Sequence, residues 1–301
     1  MSETPVLPKK AVPVGTAVGD QLPAALKLLV VPFQVAFWAR AVAASARADA
    51  SSATQHPEMG PLRALPLRRS ILQDNAMNLA KQHLDVGLFS TKRDEQLAFW
   101  QQTVGLAYDH MGKLGGGMQQ HRHHMNGSIL KMNHSRGALP EAPPSGIVGL
   151  EIARNGLAAR QALADPDGNK VTLVPKGENG VVGIAILLKV NDPARHDRFW
   201  THAMQFERAG DGRYRCGDSL VVIAERGRVE RSDDWRGPGY RYMTVQVWDC
   251  LHEYAGILER GGTSGGEPRV LGDTVRYAFV CDPDGNHIEI SQRASLTGGT
   301  L

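Results

Sequence analysis

The pentapeptide Asp-Pro-Asp-Gly-Asn stands at residues 165–169 and again at 282–286, and each copy runs into an alternating, strand-like tail. The tails read Lys170-Val171-Thr172-Leu173-Val174 and His287-Ile288-Glu289-Ile290-Ser291. Self-similarity of this kind constrains architecture before any single residue does, because repeated supersecondary units bury their faces against one another. A second echo is independent of the first. Asp85-Val86-Gly87-Leu88 is followed fourteen residues later by Phe99-Trp100, and Ala185-Ile186-Leu187-Leu188 is followed at the same distance by Phe199-Trp200. Both ends of the unit therefore repeat.

Periodicity assigns the elements between these marks. Residues 84–89 read as a strand. Residues 92–104 read as a helix whose Leu97, Phe99, Trp100 and Val104 share one face. A glycine-rich turn at 112–117 precedes a strand over about 125–133. The second half gives a strand at 182–190, a helix at 193–204 and strands near 212–216, 219–225 and 242–248. A helix at 251–260, a glycine-rich turn at 261–266 and strands at 275–280 and 287–291 follow. Asp-Pro followed by Gly-Asn is strong turn chemistry, since proline presets one dihedral and the next residues tolerate positive φ. About a dozen residues separate the strand near 149–152 from the first such turn, too few for the helix and strand that precede the second. The expectation is an α+β protein of tandem βαβββ modules with one module abbreviated. In chain order the modules pair as a first domain over 81–176 and a second over 180–294, with a short tail at 295–301.

Residues 1–76 lack this alternation and are rich in alanine and proline. An apolar stretch over 22–44 superficially resembles a secretory signal, but Lys27, Gln34 and Arg40 interrupt it and Pro32 would kink it. The segment is expected to be an extension, partly helical or disordered, with no membrane span. Met77 lies just before the first strand, which leaves open a further alternative, that the functional protein needs nothing upstream of it. The formal net charge of +3 is spread along the chain without a basic, aromatic-interleaved stripe, which argues against nucleic acid. Cys216, Cys250 and Cys281 are odd in number and form no Cys-x-x-Cys spacing, as expected for reduced thiols in the cytoplasm. Self-association is left open.

The strand-helix start ending in Phe-Trp, the glycine-rich turn and Asp-Pro-Asp-Gly-Asn-x-x-Glu together resemble the vicinal oxygen chelate superfamily. That group includes glyoxalase I, the fosfomycin and bleomycin resistance proteins and the extradiol dioxygenases. The resemblance covers about residues 81–294 and implies cupped mixed sheets around a small-molecule substrate. It also implies a divalent metal, Fe2+ or Mn2+, held by a first-strand ligand and a carboxylate beyond the second turn, with open positions for vicinal substrate oxygens. Glu289 matches that carboxylate, and His287 shares its strand face. The first-strand position is Asp85 in one half and Ala185 in the other. Tyr242 stands where a further histidine is expected, and Lys131 where glyoxalase I offers a ligating Glu. Phe279 replaces the tyrosine of the extradiol signature, residues 270–274 hold no histidine, and Thr172 replaces the carboxylate in the first half.

The other dense polar cluster runs from His121 through His123, His124, Asn126 and Lys131 to Asn133 and His134. Imidazoles there would serve as bases near neutral pH or as ligands, or form a solvated loop entering an edge strand. Alternation puts Ile129, Lys131 and Asn133 on one strand face. The candidates are thus Tyr242, His124 and Lys131 for catalysis, and His123, Asn126, Tyr240, Arg241 and Phe279 for substrate contact. Glu289 and His287 are the candidates for metal. The activity implied is that of an extradiol- or glyoxalase-like enzyme acting on a small oxygenated, aromatic or anionic molecule. A metal-free binding protein and a metal-independent lyase or isomerase are the alternatives.

Overall fold

A computed structural model describes residues 76–299 and Leu301, except Asp233. The expectations for residues 1–75 lie outside the described residues. Among the described residues fifteen strands form two mixed sheets. The first unit supplies β1 (Asp85–Ser90), helix α1 (Arg93–Ala98), β2 (Ala107–Gly115), β3 (Met118–Met125) and β4 (Ser128–Ser135). The abbreviated unit has strands only: β5 (Ile147–Arg154), β6 (Gln161–Ala164) and β7 (Lys170–Pro175). The third has β8 (Ile184–Val190), α2 (Pro193–Arg198), β9 (Glu207–Gly210), β10 (Arg213–Cys216) and β11 (Ser219–Arg226). The fourth has β12 (Gly239–Gln246), α3 (Cys250–Glu259), β13 (Thr263–Leu271), β14 (Val275–Cys281) and β15 (His287–Arg293), after which a short α4 (Ala294–Thr297) follows.

Helices α1 and α2 each pass into a π turn, Phe99–Thr103 and Phe199–Ala203, which sets the Phe-Trp pairs facing inward with both tryptophans fully buried. Asp192 caps α2 through the amides of Ala194 and Arg195, with Pro193 in the first turn, and Asp249 caps α3 in the same way. Edge strand β9 lies where periodicity assigns no element, and edge strand β13 begins inside the glycine-rich segment 261–266 expected as a turn.

The order within the sheets corrects the pairing by chain order. One sheet runs β13-β14-β15-β12-β1-β4-β3-β2, joining the first unit to the fourth, and the other runs β6-β7-β5-β8-β11-β10-β9, joining the second to the third. Connection length accounts for this. Residues 176–183 link β7 to β8 tightly, and β8 pairs antiparallel with β5. The longer stretches 136–146 and 227–238 carry the chain across to the other sheet and back. Repetition identifies which units resemble each other, not which ones share hydrogen bonds.

The two Asp-Pro-Asp-Gly-Asn turns latch the sheets reciprocally. Asp165 accepts from the amides of Asp167 and Asn169 and from the Asn169 side chain, and Asp282 does the same with Asp284 and Asn286. Gln96 of α1, beside the first sheet, donates to Asp165 and Asp167 in the turn of the second. His196 of α2, one hundred residues on, places Nε2 2.9 Å from Asp284 in the turn of the first. The main core lies between the sheets and their helices. It gathers Val86 and Leu88 of β1, Leu150 and Ile152 of β5, Ile186 and Leu188 of β8, and both buried tryptophans.

Candidate functional site

The opposite face of the eight-stranded sheet is an aromatic cup. Phe89, Tyr242 and Phe279 form a buried cluster apart from the main core, with Trp235 and Tyr277 against it. The Trp235 ring lies 5.0 Å from Phe279 and 5.4 Å from both Phe89 and Tyr242. They surround a cavity of about 470 Å³ whose charged lining is Lys131, Glu289, Arg236 and Arg293. Gly87 makes the wall possible, since a Cβ there would come within 1.9 Å of the Tyr242 ring.

Four adjacent strands meet at the floor. Gly87 of β1 pairs with Tyr242 of β12 and Lys131 of β4, and Thr244 of β12 pairs with Glu289 of β15. Lys131, 2% exposed, donates from Nζ to Thr244 Oγ1 and Glu289 Oε2, each at 2.7 Å, and Thr244 Oγ1 donates to the same Glu289 oxygen at 2.7 Å. Burial pulls the Lys131 ammonium below its ordinary pKa, and the Glu289 and Asp85 carboxylates oppose that pull. Asp85 is occupied elsewhere, accepting from the Ile129 amide, Lys81 and Gln246. Above the floor, the Tyr242 oxygen accepts from Asn133 Nδ2 at 3.2 Å and Gln120 Nε2 at 3.4 Å, which leaves its own hydrogen for a further partner. Burial first, then the Glu289 charge, raises the phenol far above its ordinary pKa, so Tyr242 stays neutral. Asp234 holds Arg236 in a two-point ion pair. Among the described residues no carboxylate comes within ion-pair distance of Arg293, on which the Glu289 and Asp85 charges act from farther off, and its buried Nε has no hydrogen-bond partner.

This set does not fit the divalent metal that the resemblance implies. An ion needs several anionic or neutral donors free to converge on one point, whereas Glu289 is already bonded to an ammonium. Among the described residues no three His, Cys, Asp or Glu side chains are grouped to hold one. His287 pairs with Tyr242 across the strands, one step from Glu289, and its ring lies among Phe279 and Trp235, 5.9 and 6.3 Å away.

The sequence candidates therefore divide. Lys131, Tyr242, Phe279 and Glu289 line one cavity. His123 does not: it lies on the other face of β3, with Nε2 3.3 Å from Gln101 and its ring against Tyr108. Burial holds its pKa at about 4. Burial also lowers His121 and His134, whose rings are 6.5 Å apart on that same side. His124 is exposed near the end of β3 and does not line the cavity. The segment read as a loop is a hairpin, with Asn126 and Gly127 both at positive φ in the turn, and Asn126 donates to Ala153 O and Gly183 O of the second sheet. Arg241 is a loop tie, bonded to the carbonyls of Pro238, Pro143 and Ala142. Tyr240 is separated from Tyr242 by a β-bulge, since Gly87 faces Tyr242 but Leu88 faces Tyr240. The extra residue sends Tyr240 into the main core, where its hydroxyl donates to Lys170 O.

Sequence reasoning missed Phe89, Trp235, Thr244, Gln120 and Arg293. Phe89 was legible, two residues beyond Gly87 on the same strand face. Trp235 lies in the loop before β12, where periodicity carries no signal.

The second sheet provides an internal comparison. By register, its counterparts of Asp85, Lys131, Thr244 and Glu289 are Ala185, Val222, Glu151 and Thr172. Ala185 and Val222 pack with Ala153, Val174, Val181 and Leu220, and Glu151 pairs with Arg160. That face is filled with side chains.

No family model and no curated protein matches the chain. Solved structures do. Glyoxalase I from Zea mays superimposes with a TM-score of 0.57 at 13% identity, covering 74% of this chain and 96% of its own. A putative dioxygenase from Bacillus subtilis gives 0.51 at 12% identity, covering 75% and 91%. The chain has the vicinal oxygen chelate fold. Identities this low concern the fold alone, and a fold does not dictate the chemistry of its sites.

Proposed function

We propose that the eight-stranded cup is a metal-independent site for a small anionic aromatic molecule. The observation that carries this reading is the Lys131 ammonium bonded to Thr244 and Glu289 on the floor, where the resemblance implies a metal. The aromatic walls of Phe89, Trp235, Tyr242 and Phe279 favour a planar ring, by edge-to-face or offset contact. Arg293, with its unpartnered Nε, supplies the charge that an acidic group on the ligand would meet. The Tyr242 hydrogen would meet a ligand oxygen. Sequestration of such a ligand needs nothing further. A lyase or isomerase reading is favoured by one feature, the neutral Tyr242 phenol beside the Lys131–Glu289 pair, which together hold a donor and a proton acceptor at one wall.

A panel of hydroxybenzoates, titrated while tryptophan fluorescence is followed, tests the site. Saturable quenching that is lost in Trp235→Leu and weakened at least tenfold in Arg293→Met is expected. Equal affinity for neutral and anionic members of the panel would contradict the role given to Arg293. Turnover of a bound ligand, followed by mass spectrometry, separates the lyase or isomerase reading from sequestration.

A further inference from the structure

A groove of about 820 Å³, larger than the cup's cavity and sharing no residue with it, runs between α2 with its π turn and the end of α3. Arg195, Arg198 and His202 line it from one side, spaced three and four residues apart, so one helical face presents all three. Arg260 and Glu259 line it from the other, with Thr263 and Cys281 nearby. None of the guanidiniums of Arg195, Arg198 and Arg260 is ion-paired with a carboxylate among the described residues, whereas Arg208 nearby in the chain is bonded to Asp197 at 2.5 Å. Arg260 Nε donates to Ala203 O at 3.0 Å, while its Nη2 is buried without a hydrogen-bond partner. A buried guanidinium nitrogen left unpaired is costly, and three cations set around one hollow against a single carboxylate repel one another.

We propose that this groove is a second ligand site, for a small molecule carrying a diphosphate-type oxyanion. Guanidinium forks match the geometry of phosphate oxygens two at a time. Three of them against Glu259 leave positive charge in excess, which a multiply charged anion would balance and a monocarboxylate would not. The exposed forks of Arg195 and Arg198 are the donors, with Arg260 adding its charge from the opposite side. The site is independent of the cup, so the fate of the proposal does not depend on the aromatic ligand.

The test is isothermal titration of the full chain with inorganic pyrophosphate, with sulfate and a single-stranded oligonucleotide as comparison arms. Saturable one-to-one binding of pyrophosphate is expected, weakened at least tenfold in Arg198→Glu and in Arg195→Gln, with sulfate much weaker. Arg198 is exposed and unpaired, so the Arg198→Glu variant is expected to keep the wild-type melting temperature and hydroxybenzoate binding. Arg136→Glu, in the segment after β4 and not among the groove's lining residues, is expected to leave pyrophosphate affinity within twofold. The proposal is overturned by absence of saturable binding, or by equal weakening in Arg198→Glu and Arg136→Glu, which would mean general electrostatics. It is also overturned by tighter binding of the oligonucleotide than of pyrophosphate, which would make the groove part of a nucleic-acid surface.

Discussion

Breaking the Lys131–Glu289 pair is expected to cost more than removing it altogether. At 2.7 Å and an effective dielectric constant of about 20, the attraction between the two charges is about 6 kcal/mol. Desolvation takes back most of that, because the side chains are only 2% and 12% exposed. Lys131→Met leaves Glu289 buried with the Thr244 hydroxyl as its remaining floor partner, and Glu289→Leu leaves the ammonium with Thr244 and the Tyr242 ring, 5.4 Å from its centroid. Each single variant is expected to lose about 3–5 kcal/mol. The double variant restores an uncharged floor of similar volume and is expected to fall within about 1 kcal/mol of the parent or above it. Urea unfolding at constant m-value, combined as a double-mutant cycle, measures the coupling, which those losses put at about 5 kcal/mol or more. Additive losses, within about 0.5 kcal/mol, would refute the view that the two charges form one unit.

The remaining predictions use the repeat, the histidines and the cup wall. Gln96 accepts from Trp100 Nε1 at 2.8 Å, but its counterpart His196 leaves Trp200 Nε1 buried and unbonded; His196→Gln should raise stability by about 1–2 kcal/mol at neutral pH, and a lower melting temperature would count against the equivalence. His123 titrates near 4 in the folded chain against 6.5 unfolded, so the unfolded state binds the extra proton between those values. Its effect is absent above pH 6.5, grows as pH falls, and levels off below pH 4 at a loss on the order of 3 kcal/mol. His123→Phe should flatten stability over pH 4–6.5, and an unchanged slope would place the titration elsewhere. Gly87→Ala drives a methyl group into the Tyr242 ring and should abolish hydroxybenzoate quenching while costing about 1–3 kcal/mol, as read by titration and thermal unfolding; retained affinity would show that Tyr242 is not part of the wall.

The fold was legible because its signals are local and repeated. Turn chemistry at 165–169 and 282–286, the Phe-Trp helix ends and strand alternation each depend on a few neighbouring residues. Pairing of the first unit with the fourth was not legible, because it follows from how far 136–146 and 227–238 reach, and composition does not encode where they land. At the site, Lys131, Tyr242, Phe279 and Glu289 followed from position in the unit. Tyr240 failed because one bulged residue reverses the faces on either side of it, and no alternation pattern reveals a bulge. The histidines failed for a different reason. A dense polar run suggested chemistry, but His121, His123 and His134 turn to the helix-covered side, where burial keeps them neutral.

The Lys131 ammonium stands on the floor of the cup where the resemblance implies a metal ion. Elemental analysis of protein purified without a histidine tag, beside its Glu289→Ala variant, tests it most directly. Well under one equivalent of iron, manganese or zinc is expected in the parent, with no change in the variant. One equivalent of metal in the parent that disappears with Glu289 would contradict it.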